Sequence, residues 1–150
     1  MRLENKVAIV TGAAKGLGGA MAQLFAQEGA KVIAVDMMPL TYEAENVEFY
    51  QLNVTDAEAC KALTEYAKEK YGKIDILVNI AQASASGVPL ADHSTEQFNL
   101  ALYSGLYAAF YYMKACYPYL KAPKGSVINF ASGAGLFGNY GQCSYAAAKE

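Results

Sequence analysis

Short runs of β-branched residues alternate along this chain with longer stretches of helical spacing, and that alternation leaves few folds open. "KVAIVTG" (6–12), "AKVIAVD" (30–36), "VEFYQLNV" (47–54), "KIDILVNIA" (73–81) and "GSVINFAS" (125–132) read as strands. Residues 15–29, 55–72 and 95–120 carry helical patterns, and "CSYAAAKE" (143–150) begins another helix. The strands are apolar with hardly a break, as strands covered on both faces are. Such strands, joined through helices, lie parallel with right-handed crossovers. The prediction is an α/β fold of one domain over 1–150: a doubly wound parallel sheet with helices on both faces and no internal repeat or linker. In the first helix Leu17, Met21, Leu24, Phe25 and Glu28 are spaced as an amphipathic face, and Gly29 ends it. Thr55 or Asp56 is expected to cap the second.

With 54% apolar and 17% charged residues the chain has material for a core and none of the signature of disorder. Its net charge of -2, with both signs interspersed, argues against a nucleic-acid partner. The N-terminal apolar run is only strand length, so it reads as neither signal peptide nor anchor. The longest apolar stretch, near 100–113, is broken by Asn99, Ser104 and Gly105, which argues against a membrane span. Cys60, Cys116 and Cys143 form no C-x-x-C and are odd in number, so free thiols in a reducing, cytoplasmic compartment are expected. His93 has no metal-ligand partners spaced around it; a surface or capping role is expected, and no metal.

After the first strand comes Thr11-Gly12-x-x-x-Gly16-x-Gly18. Glycines between a strand and a helix N-terminus let backbone amides approach a pyrophosphate, whose charge the helix dipole favours. Asp36 ends the second strand about twenty residues on, where a carboxylate suits the hydroxyls of an unphosphorylated adenosine ribose and repels a 2′-phosphate. The cofactor expected is therefore NAD rather than NADP. Lys15 points the other way, since a cation in this turn could help hold a 2′-phosphate; its other reading is a solvated loop lysine or a partner for Asp36.

Tyr145 and Lys149 stand one helical turn apart. A phenol alone is a poor proton donor or acceptor at neutral pH, but an ammonium on the same helix face stabilises the phenolate. Ser132 lies at the carboxyl end of the fifth strand, thirteen residues before the tyrosine. Ligands of open α/β sheets sit at such ends.

Together these residues resemble the short-chain dehydrogenase/reductase family in its compact subgroup. The matching residues are "TGAAKGLG" (11–18), Asp36, "LNVTD" (52–56), "LVNIA" (77–81), "GSVINFAS" and "SYAAAK" (144–149), in the family's order. The resemblance implies a Rossmann-type sheet of order 3-2-1-4-5 and hydride transfer between a nicotinamide and a secondary alcohol or ketone. Tyr145 would then be the general acid/base. Ser132 would bond the substrate oxygen, and Lys149 would tune the phenol and hold the nicotinamide ribose. Gly12, Lys15, Gly16, Leu17 and Gly18 would form the cofactor turn, with Asp36 on the ribose. Asn53 and Val54 would lie by the adenine, and Asn79 and Ala81 beside the adenosine ribose and the sheet.

Three departures accompany the resemblance. Gln82 stands where the family has a glycine, which puts a side chain where close approach to the cofactor is normal. Gly105 stands where the family has a catalytic asparagine, so the proton relay to the lysine is expected to be impaired or rerouted. Ser104, about 100° around the helix, is a poor substitute. The chain also stops at Glu150, short of the family's usual length, so a fragment lacking the C-terminal substrate-binding segment is expected.

Tyr103, Tyr107 and Tyr111 form an i, i+4, i+8 stripe on a helix apolar nearly all round, which needs cover on two sides. The sheet is one; a homodimer or homotetramer partner would be the other. The tyrosines, with the apolar residues of 83–90 and 133–140, fit an apolar, steroid-like substrate. Two other readings stay open: a nucleotide-binding protein without catalysis, and a flavodoxin-like binding domain.

Overall fold

The computed structural model describes residues 1–150. In chain order the elements are β1 (Val7–Thr11), α1 (Gly16–Gln27), β2 (Lys31–Asp36), β3 (Val47–Gln51), α2 (Ala57–Tyr71) and β4 (Ile76–Asn79). A 3-10 turn (Leu90–Asp92), α3 (Thr95–Ala101), a π-turn (Leu102–Tyr107), α4 (Ala108–Lys121), β5 (Ser126–Asn129), α5 (Gly133–Phe137) and α6 (Cys143–Lys149) follow. The five strands are parallel, as the sequence predicts, in the order β3-β2-β1-β4-β5 that the family resemblance implies. The chain thus runs out from β1 to one edge, returns across it, and fills the other side.

β1 is buried on both faces, and its period of two divides the core. Ile9 points one way with Ile33 and Leu77, against Cys60 and Leu63 of α2 and Tyr112, Cys116 and Leu120 of α4. Ala8 and Val10 point the other way with Val32, Ala34 and Val78, against Ala22 and Ala26 of α1. The second layer is thin because its residues are small. α1 consequently lies close to the sheet on Gly18, Gly19, Ala22 and Ala26, while Leu17 and Leu24 are 58% and 48% exposed. Of the expected face, Met21 and Phe25 do pack partly buried against this layer, but Leu17 and Leu24 are corrected: a slot this narrow admits glycine and alanine at its centre and turns the leucines out.

Local signals bound α2 where expected. Asp56 accepts the amide of Ala59 at 3.0 Å and caps α2, worth about 1 kcal/mol, and Gly72 closes it at φ 79°. β4 ends at Asn79, short of the predicted 81, because the amides of Ile80 and Ala81 turn to the Thr11 hydroxyl at 3.1 and 3.2 Å. Ser94 and Gln97 form a capping box at the start of α3. The predicted helix 95–120 is continuous in direction, but Leu102–Tyr107 widens into a π-turn around Gly105.

Tyr103 and Tyr107 stack at 4.9 Å, and Tyr111 follows at 6.1 Å. Tyr103 and Tyr107 with Leu106 and Phe110 leave an exposed apolar face on this helix, while Tyr111 is half-buried against the core. Cys60 and Cys116 are buried free thiols, pushed by burial up to about 11 and about 12. No helix is long and apolar enough to cross a membrane.

Candidate active site

The loops at the carboxyl ends of β1, β2, β4 and β5 carry the residues of interest. Gly12 has φ +66° and sits against the backbone of Ala81, where a Cβ would come within 2.9 Å of Cα and N. Gly18 is tighter: its Cβ would lie 2.1 Å from the Gly12 carbonyl oxygen. Gly16, at φ +56°, has open space around it. Unlike α2 and α3, α1 begins with no side-chain cap and no acidic residue in its first turn. Its exposed N-terminus, with Lys15 and Leu17 beside it, therefore presents amide donors and a positive dipole end. This cradle fits a pyrophosphate.

Asp36 holds the turn from the next strand. One carboxylate oxygen accepts the amide of Ala14 at 2.9 Å and the other the amide of Met38 at 3.0 Å. Lys15 makes no ion pair with it. A brace that sequence reasoning missed comes from the loop after β2. Thr41 donates to the Ala14 carbonyl and Tyr42 to the Ala13 carbonyl, at 2.9 and 3.0 Å, and the Tyr42 ring faces Gly19. Burial, then the charge of Asp36, raises the Tyr42 phenol above its ordinary range.

Asn53 is exposed and spends its side-chain oxygen on the amide and hydroxyl of Thr55, an Asx turn that shapes the loop, while Val54 is buried. Asn79 donates to Asn129 Oδ1 at 2.8 Å and so ties β4 to β5; its own Oδ1 is buried without a partner. Ala81 is fixed by Thr11 and lies against the Gly12 turn.

Across the same sheet end, α6 carries Tyr145 and Lys149. Lys149 Nζ donates to the Phe130 carbonyl at 2.9 Å and sits 6.0 Å from the centre of the Tyr145 ring. Burial holds the Lys149 ammonium below the usual lysine range. Ser132 lies two residues beyond Phe130 and caps α5, its Oγ accepting the Ala134 amide at 3.2 Å. That bond leaves the Ser132 hydroxyl proton free to donate. Ser144, buried beside Tyr145, bonds His93 Nε2 at 2.9 Å, so the lone histidine ties the loop before α3 to α6.

The family model described as short chain dehydrogenase matches residues 6–150. The chain belongs to the short-chain dehydrogenase/reductase family. It is 48% identical to a 12alpha-hydroxysteroid dehydrogenase of Clostridium sp., over 98% of this chain and 63% of that one. It is 42% identical to a 3-oxoacyl-(acyl-carrier-protein) reductase of Thermotoga maritima, over 99% of this chain and 64% of that one. A crystal structure of a short chain dehydrogenase from Mycobacterium avium superimposes with a TM-score of 0.88 at 30% identity, covering 99% of this chain and 60% of that one. The chain thus spans a little under two thirds of the length of these relatives. Membership of the short-chain dehydrogenase/reductase family removes the flavodoxin-like reading.

Within that family frame the structure changes the meaning of Gln82 and Gly105. A Cβ on Gly105 would lie 2.1 Å from Gln82 Oε1. The glutamine side chain has turned into the space over the glycine, with Nε2 donating to the carbonyls of Ala83 and Ala101 at 3.0 and 3.1 Å. The two departures are one arrangement. The buried Ser104 hydroxyl fastens it, accepting the Ala83 amide at 2.9 Å and bonding the Leu100 carbonyl at 2.6 Å.

Proposed function

We propose that this chain is the dinucleotide-binding and acid–base domain of an NAD(H)-dependent oxidoreductase that interconverts a secondary alcohol and a ketone. The observation that carries the reading is Lys149, anchored on the Phe130 carbonyl beside the Tyr145 ring, at the same sheet end as the glycine turn. The Gly12–Gly18 turn and the uncapped N-terminus of α1 would bind the pyrophosphate. Asp36 would accept the adenosine ribose hydroxyls and disfavour a 2′-phosphate. Val54 and Asn53 would border the adenine, with Asn79 and Ala81 beside the ribose.

When bound, the nicotinamide supplies or receives the hydride. In the reducing direction Ser132 donates its hydroxyl proton in a hydrogen bond to the carbonyl oxygen and orients it. Tyr145 gives its phenolic proton to that oxygen as hydride reaches the carbonyl carbon, which leaves an alcohol and a phenolate. Lys149 stabilises the phenolate with its ammonium, whose charge is felt strongly in a half-buried place. Oxidation runs the same steps backwards.

An apolar alicyclic substrate, of the steroid kind named for the Clostridium relative, fits best. Leu136 and Phe137 of α5, which Ser132 caps, and Tyr140 shortly after it are exposed and would receive it. A homodimer or homotetramer in the cytoplasm accords with the exposed apolar face of the long helix and the free thiols. The test follows nicotinamide absorbance in the full natural chain over a panel of cyclic ketones, with NADH and NADPH in parallel. Turnover with NADH on at least one ketone is the expected result; none with either cofactor overturns the reading.

A further inference from the structure

Gly105 sits within the only π-turn of the chain, and Gln82 fills the volume above it. The orientation of the Gln82 amide is fixed by its neighbours. Nε2 faces two carbonyls, so the reversed amide would aim an acceptor at two acceptors. Oε1 is thereby left buried and unpartnered against Gly105. A buried orphan acceptor is unfavourable, and it persists here because the rest of the clasp over-determines it. The Ala101 carbonyl that Gln82 holds lies at the entry to the π-turn, and the Ser104 hydroxyl within the turn accepts the Ala83 amide. The π-turn in turn packs against α6, which carries Tyr145 and Lys149.

We propose that Gln82 is a positioning residue for the hydride-transfer site. Its carboxamide, seated in the slot that Gly105 leaves open, sets the π-turn and through it the placement of Tyr145 and Lys149. The inference rests on the oxidoreductase reading above and deepens it. The slot also explains why the glutamine does not obstruct the glycine turn: its side chain points to the long helix instead.

Gly105→Ala is the cleanest perturbation, because the three atoms nearest the new Cβ all belong to the far end of the Gln82 side chain, which can swing away. In the full natural chain with NADH and a ketone substrate, Gly105→Ala and Gln82→Ala should each lower kcat about tenfold and displace the pH profile of kcat. KM for NADH should stay within about twofold. Melting temperature of Gly105→Ala should stay within about 3 °C of the parent, since the helix propensity alanine adds largely offsets the two Gln82 hydrogen bonds released. Unchanged kcat and pH profile in both single variants would overturn the proposal, as would a fall in melting temperature with kcat intact. Tyr145→Phe in the same series separates the two claims. Lost turnover there with silent variants at 82 and 105 removes the positioning role alone, whereas retained turnover removes the acid–base assignment beneath it.

Discussion

Gly18 is where the account makes its sharpest quantitative demand. A methyl group there would lie 2.1 Å from the Gly12 oxygen, 2.9 Å from the Gly12 carbonyl carbon and 3.1 Å from Ile80 Cγ2. Close carbon–oxygen contacts fall near 3.3 Å, so the turn and α1 must part by about 1 Å, and backbone cannot rotate aside as a side chain can. Overpacking of this kind costs about 1–3 kcal/mol, or roughly 3–10 °C in melting temperature for a chain of this size. The same 1 Å would stretch the amide–phosphate bonds proposed for the turn beyond useful length. Loss of even one charge-assisted bond, worth about 1.5–3 kcal/mol, weakens NADH binding roughly 10- to 100-fold. Gly16→Ala provides the contrast: with nothing within 4 Å it meets only the left-handed backbone penalty of about 1–2 kcal/mol. Fluorescence titration with NADH and thermal melting of both variants check this order. Gly18→Ala binding NADH within threefold of the parent, and melting within about 2 °C of it, would refute the reasoning.

Three further outcomes are expected. Asp36→Ala should shift the NADPH-to-NADH affinity ratio toward NADPH by about tenfold, ~1.4 kcal/mol, measured by calorimetric titration of both cofactors. Asp75 is buried, which by itself would raise its carboxyl, but the Val7 amide and the ammonium groups of Lys6 and Lys73 more than offset this and hold it below its ordinary value of 3.8. A depressed folded value means that Asp75 adds stability above the ordinary aspartate range and loses it as pH falls through the folded value. Asp75→Asn should therefore lower the unfolding free energy from urea titration at pH 7 by about 1–3 kcal/mol and flatten its acid limb below about pH 4. Tyr42→Phe should cost about 1 kcal/mol in urea unfolding at unchanged m, because it removes the bond to the Ala13 carbonyl.

The strands and the ends of α2, though not the strand order that only the family resemblance implied, were legible because their causes are local. Hydrophobic period, the Asp56 cap and Gly72 each act within one turn of chain. The buried face of α1 was not, because it depends on how closely the helix approaches β1 and β2, and that distance is set by small residues on both partners. Gly12, Gly18, Asp36, Tyr145 and Lys149 stood out through spacing, and the fold gathers them at one sheet end. Gln82 and Gly105 were each visible as an oddity, but their fit to one another is a contact between separate elements. No spacing rule reports that. The bond from His93 to Ser144 and the brace of Thr41 and Tyr42 on the glycine turn were hidden for the same reason. Glycine at 105 can no longer be read as a vacancy in the site, since an asparagine introduced there alone would collide with Gln82.

The most direct test of the account is NADH-driven ketone reduction by the parent and by Tyr145→Phe, measured side by side with NADH affinity in the full natural chain. Removing one hydroxyl should lower kcat by about 10²–10⁴-fold while NADH binds within about threefold of the parent. A Tyr145→Phe variant that reduces the ketone at the parental rate would contradict it.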